Sequence, residues 1–206
     1  KGQFYTPAEV SRIMAMVLGL GEFERASNTI YDPTCGSGSL LLRLKKYANV
    51  RLYYGQELTS TTYNLARMNM ILRGIPYRRF NIYNGDTLEH DYFGDTKFRV
   101  QVANPPYSQI WSADVRFMED ERFNEYGKLA PKSKADFAFI MHSLSWLAPN
   151  GTAAIVCFPG IMYRPGAEKK IRQYLIDNNF IDCVIQLPSN LFFGTNIATC
   201  IMVLKK

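Results

Sequence analysis

Thr29-Ile30-Tyr31-Asp32-Pro33-Thr34-Cys35-Gly36-Ser37-Gly38-Ser39 is the stretch on which the fold turns. Three residues of strand character run into an acid, a proline and two glycines. Ser39 then opens a run with leucines at 40, 41, 42 and 44 that predicts a helix over 39–48. A strand that passes through a glycine turn straight into a helix begins a strand–helix–strand unit. Glycine carries no Cβ, so the backbone at Gly36 and Gly38 can approach a ligand closely. A dinucleotide fingerprint would set a third glycine three residues further on for close helix–strand packing, and Leu41 stands there. A pyrophosphate site is weakened accordingly, while a ligand-binding turn and a plain tight turn both stay open.

Working outward, the same alternation recurs. Upstream, 7–20 reads as a helix with Val10, Ile13, Met14, Val17 and Leu18 on one face, proline in its first turn and Thr6 placed to cap it. Downstream come a strand at 51–55, a helix at 59–73 stopped by Gly74, and strands at 80–83 and 98–103. A helix at 134–147 ends at Pro149-Asn150-Gly151, followed by a strand at 152–158, a helix at 167–178 and strands at 180–187 and 198–204. Strands separated by helices predict an α/β fold, a mostly parallel seven-stranded sheet with helices on both faces. Only residues 188–197 separate the last two strands, too few for a crossover helix, so one strand is expected to run antiparallel. The connection from 108 to 133 is long and shows no clear period.

A length of 206 residues suits one domain over 1–206, and 47% apolar residues suffice for a core. The chain opens on Lys1 and stops directly after a strand-like run, so we expect a fragment of a longer protein. A net charge of +6 permits a polyanionic partner but fits plain solubility equally well. No apolar run approaches the ~20 residues of a membrane span, and no basic-then-apolar leader is present. Cys35, Cys157, Cys183 and Cys200 are widely spaced, and His90 and His142 are the only histidines. No metal-ligand spacing can be assembled from these, which suggests a reduced, metal-free, cytoplasmic protein with no membrane association.

In such sheets ligands bind beyond the carboxyl ends of the strands, where the strand order reverses. Glu57 follows the second strand about 20 residues after the glycines, where a carboxylate can accept from ribose hydroxyls. Asp86 follows the third strand and could accept from the exocyclic amine of a nucleobase. Taken singly, Glu57 could be a solvated acid and Asp86 a turn residue. After the fourth strand stands Asn104-Pro105-Pro106-Tyr107. The Asn104 side-chain oxygen and the Pro105 carbonyl are two acceptors that could hold one NH2 group, and Tyr107 offers a face for stacking. A proline-rich turn is the alternative. Asp32, Gly36, Gly38, Glu57, Asp86 and Asn104 at successive strand ends outline a nucleoside pocket without a phosphate site.

Asp32–Ser39 together with Asn104–Tyr107 resembles the S-adenosylmethionine-dependent amino-methyltransferases of DNA. More closely, the chain resembles the modification subunit of type I restriction–modification systems. The further matches are Gly2–Pro7, Tyr54–Glu57, Leu65–Asn69, Pro131–Phe139 and Leu187–Thr195. The resemblance runs over 1–206 and is weakest at 108–130.

It implies a Rossmann-like class I methyltransferase catalytic domain, with an N-terminal helical domain and a C-terminal tail lying outside this chain. S-adenosylmethionine would be the cofactor and the N6 amine of a flipped-out adenine in double-stranded DNA the target. Gln3, Phe4, Tyr5, Thr6 and Pro7 would cover the methionine end of the cofactor, and Asp32, Gly36, Ser37 and Gly38 its amino-acid moiety. Glu57 would hold the ribose and Asp86 the adenine ring, with residues 132–139 as the far wall. Asn104, also adjoining the cofactor, would act catalytically with Pro105, Pro106 and Tyr107. Tyr107, Phe192 and Phe193 would contact the target base, although the phenylalanines could equally be packing. The implied partners are a specificity subunit and a restriction subunit, with two modification subunits per complex. Other readings are a protein-glutamine or cytosine-N4 amino-methyltransferase, and a non-catalytic DNA-binding relic of the fold.

Overall fold

The computed structural model describes residues 5–20, 28–90, 92–94, 96–193 and 196–206. Helix α1 (Ala8–Val17) leads into β1 (Asn28–Asp32), α2 (Ser39–Leu44), β2 (Val50–Glu57), α3 (Ser60–Leu72) and β3 (Phe80–Asn84). Then follow β4 (Phe98–Ala103), α4 (Asp136–Ser145), β5 (Leu147–Cys157), α5 (Ala167–Asp177), β6 (Ile181–Gln186) and β7 (Cys200–Lys205). One seven-stranded sheet results, in the order β3-β2-β1-β4-β5-β7-β6. Pairs β1–β2, β1–β4, β2–β3 and β4–β5 are parallel, whereas β7 runs antiparallel to both β5 and β6. The expected mostly parallel sheet with one reversed strand is borne out. The strand order reverses between β1 and β4, so a crevice opens beyond their carboxyl ends.

Alternate residues of the strands feed two cores, as the two-residue side-chain period requires. On one face Ala154, Val156, Ile201 and Val203 meet Val10 and Met14 of α1, Leu41 of α2 and Met70 of α3. On the other, Ala153, Ile155, Met202 and Leu204 meet Phe137 and Ile140 of α4 and Leu175 of α5. The 108–133 connection is built around two 3-10 turns, Val115–Met118 and Asn124–Tyr126. It lays Trp111, Phe117 and Phe123 into the α4 side of the core. Every residue of α4 from Asp136 to Leu144 is therefore buried. Among the described residues no helix is long and apolar enough to cross a membrane.

Two local expectations are corrected. Thr6 does not cap α1: Pro7 is the capping residue, no side chain caps it, and the Ser11 hydroxyl donates back to the Pro7 carbonyl at 3.0 Å. Pro149-Asn150-Gly151 is not simply a helix stop but lies within β5. Leu147 pairs with Phe98 and Thr152 with Val100, and the residues between them form an irregularity in which Asn150 takes φ 61°.

Candidate active site

The crevice at the strand-order reversal is a cavity of 570 Å³. Four strand ends deliver polar residues to its wall, among them Asp32 closing β1, Glu57 closing β2, Asp86 just after β3 and Asn104 just after β4. Tyr5 and Thr6 line it ahead of α1, Gly36 and Ser37 from the first loop, Pro106 from the fourth-strand turn, and Phe139 from α4. Of the other residues expected here, Gly38 caps α2 with φ 75°, and a Cβ there would come 3.3 Å from the Met70 side chain. Pro105 is buried, Pro7 is the α1 cap, and neither lines the cavity. Phe192 packs into the core, whereas Phe193 is 92% exposed. Gln3 and Phe4 lie outside the described residues.

The carboxylates are fixed by backbone donors. Glu57 accepts from the Gly36 N–H at 3.1 Å and from the Thr59 N–H at 2.8 Å, tying the glycine loop to the start of α3. Asp32 accepts from the Thr34 N–H at 2.9 Å, and Asp86 from the Leu88 N–H at 2.9 Å. Asp32 is 2% exposed, and burial pushes its carboxyl up to about 7; the Glu57 charge adds to the rise, and the Thr34 hydrogen bonds oppose it. Among the described residues, no lysine or arginine lines the cavity. Such a wall repels phosphate and favours a ligand that brings hydroxyls and positive charge.

At the fourth strand end, Asn104 donates through Nδ2 to the Thr6 hydroxyl at 3.1 Å and accepts at Oδ1 from the Tyr107 hydroxyl at 2.8 Å. Burial pushes the Tyr107 phenol up, so it keeps its proton and remains a donor. Its ring meets Phe158 edge-on, with centroids 4.3 Å apart. Thr6 thus touches a residue 98 positions away instead of capping its own helix.

Sequence reasoning missed several contributors, Thr59, Thr62, Thr87 and Gln109 among them. Gln56 lines the cavity, and its Nε2 donates to the His90 carbonyl at 3.3 Å, bracing the loop after β3. Leu58 and Leu65 supply apolar wall beside Phe139. Their exposure at the ends of β2 and on α3 carries no periodic signal, because a cavity wall is neither core nor solvent face.

The N-6 DNA Methylase family model matches residues 1–206. The chain belongs to the N-6 DNA methylase family. Within it, the chain is 51% identical over 220 residues to the methylase subunit of the type I restriction enzyme MpnII from Mycoplasma pneumoniae, covering all of this chain and 40% of that protein. A type I restriction–modification methyltransferase subunit from Streptococcus thermophilus superposes with a TM-score of 0.96 at 48% identity, over 100% of this chain and 45% of that one. A Listeria monocytogenes protein described as a class I S-adenosylmethionine-dependent methyltransferase shares the fold alone, with a TM-score of 0.79 at 21% identity over 98% of this chain and 60% of that one. The chain therefore spans less than half the length of the type I relatives it matches.

The cofactor of an N-6 DNA methylase with this fold is S-adenosylmethionine, and the cavity suits it. Its positive charge would answer the raised, buried Asp32, and its ribose hydroxyls would find an ionisable acceptor in Glu57. Leu58, Leu65 and Phe139 provide apolar surface for a flat base. At Gly36, with φ 55°, an added Cβ would meet no protein atom within 4 Å, so open space adjoins the backbone there.

Proposed function

We propose that this N-6 DNA methylase transfers a methyl group from S-adenosylmethionine to the exocyclic N6 amine of an adenine flipped out of duplex DNA. It would do so as the catalytic part of a type I modification subunit. One observation carries the reading: Asn104, an amide able to hold an amine, opens into a single cavity with Asp32, Glu57 and Asp86. The cofactor, when bound, supplies an electrophilic methyl group on a cationic sulfur.

The protein's own contribution is positioning. The adenine amine is a poor nucleophile because its lone pair is delocalised into the ring. Asn104 Oδ1 would accept from one amine N–H and, although Pro105 does not itself line the cavity, its carbonyl would accept from the other, favouring a pyramidal nitrogen with its lone pair directed at the methyl. The Thr6 and Tyr107 contacts fix the orientation of the Asn104 amide. The amine proton leaves once the nitrogen has become positive. Asp32 would hold positive charge on the cofactor, Glu57 the ribose and Asp86 its adenine, and Tyr107 and the exposed Phe193 would flank the extruded adenine, whereas Phe192 is core packing.

Sequence choice belongs to a specificity subunit and cleavage to a restriction subunit, with two modification subunits in each complex. The full chain assembled with its specificity subunit is the material for the test, read as labelled methyl transfer to duplex DNA. Asn104→Ala should lower turnover about a hundredfold or more while cofactor affinity stays within about tenfold. Retained turnover in that variant would refute the assignment.

A further inference from the structure

A guanidinium outside the strand-end series holds the cofactor side of this site together. Arg122 belongs to the 108–133 connection and is 4% exposed. Its Nη1 donates to the Thr87 carbonyl at 2.9 Å and approaches His142 Nδ1 at 3.3 Å; its Nη2 donates to the Leu88 carbonyl at 3.0 Å and to Asp120 Oδ2 at 2.7 Å. Its Nε donates to Asp120 Oδ1 at 3.0 Å. The five N–H groups of an arginine are thereby matched with acceptors. The ring of Phe123 lies 4.8 Å beneath the charge.

The acceptors sit where the cofactor site is built. Thr87 and Leu88 immediately follow Asp86, and the Leu88 N–H is the donor that fixes the Asp86 carboxylate. The Thr87 hydroxyl in turn donates to the Pro33 carbonyl, next to Asp32. A second arm passes through His142. Arginine has only donors, so Nδ1 accepts and the Nε2–H donates to the Tyr31 oxygen at 2.9 Å. Tyr31 directly precedes Asp32 in β1. Burial, then the Arg122 and Lys97 charges, hold His142 well below its ordinary pKa, consistent with this neutral tautomer.

We infer that Arg122 is a positioning residue for cofactor binding: it locks the loop carrying Asp86 to the loop carrying Asp32, and so makes the 108–133 connection part of the cofactor site. Lysine at this position would keep the charge but could not reach two carbonyls, a carboxylate and an imidazole at once. The inference rests on the proposed cofactor pocket and extends it from Gln109, which lines the cavity, to a side chain of the same connection that does not.

The test measures S-adenosylhomocysteine binding to the full chain by calorimetry, and cofactor KM against kcat in the assembled enzyme. Arg122→Lys should weaken binding about tenfold and raise cofactor KM in proportion, with kcat at saturating cofactor within about twofold. A double-mutant cycle separates positioning from general stability. In an Asp86→Ala background, Arg122→Lys should cost much less than in the wild type. Asp120→Asn, which leaves Arg122 in place but loosens its anchor, should weaken binding about threefold and serves if Arg122→Lys does not fold. Unchanged affinity in the folded variants, or additive losses in the cycle, would overturn the inference while leaving the cofactor pocket intact. Wild-type protein that does not bind S-adenosylhomocysteine would overturn both.

Discussion

At the scale of single residues, the pair Asp32 and Glu57 sets the electrostatics of the site. Burial raises the Asp32 carboxyl from 3.8 to about 7, so below that pH the ligand-free protein carries a proton there. Because the folded state binds this proton more tightly than the unfolded chain, the shift removes stability as the pH climbs from about 4 through about 7. Positive charge placed beside Asp32 favours the ionised form and expels the proton. Affinity for S-adenosylmethionine should therefore rise with pH up to about 7 and then level off, by no more than about tenfold per pH unit for one proton. Calorimetry at pH ~6 in two buffers of different ionisation enthalpy should register proton release. Equal heats in both buffers would mean that the cation does not face Asp32.

Among the elements, the junction of β1, its loop and β2 rests on one close approach. The Cys35 N–H donates to the Gln56 carbonyl at 2.9 Å, and a Cβ added at Gly55 would stand 2.9 Å from the Cys35 sulfur. Gly55→Ala should destabilise the fold by about 1–3 kcal/mol in denaturant melts, and Cys35→Ala should recover part of that loss. Strictly additive losses would rule out the contact as the cause. Elements with a strong local pattern were legible in the sequence: β4 falls on the expected 98–103, and the short link between β6 and β7 announced the reversed strand. The order of acids at the strand ends was equally readable, because each follows its strand directly. What could not be read depends on distant partners. Thr6 fits a cap by local rules, yet its hydroxyl meets Asn104; Arg122 sits in an aperiodic stretch, yet it anchors the loop beyond Asp86. Phe192 and Phe193 are identical in sequence terms, and only the fold sends one inward and the other to solvent.

For the whole molecule, the strand order β3-β2-β1-β4-β5-β7-β6 opens a crevice that gathers Asp32, Glu57, Asp86 and Asn104. A net charge of +6 supports contact with a polyanion but encodes no sequence preference. The chain alone should bind duplex DNA weakly, without choosing among sequences, and fluorescence anisotropy should show that binding collapsing as salt rises from about 50 to 200 mM. Discrimination between sequences by the chain alone would contradict a division of labour with a specificity subunit. The most direct test is the chemical identity of the product. The full chain with its specificity subunit should be given labelled S-adenosylmethionine and duplex DNA, and the DNA digested to nucleosides. The label should appear as N6-methyladenine and vanish in Asn104→Ala. Label in N4-methylcytosine or on protein, or undiminished label in the variant, would contradict adenine methylation through Asn104.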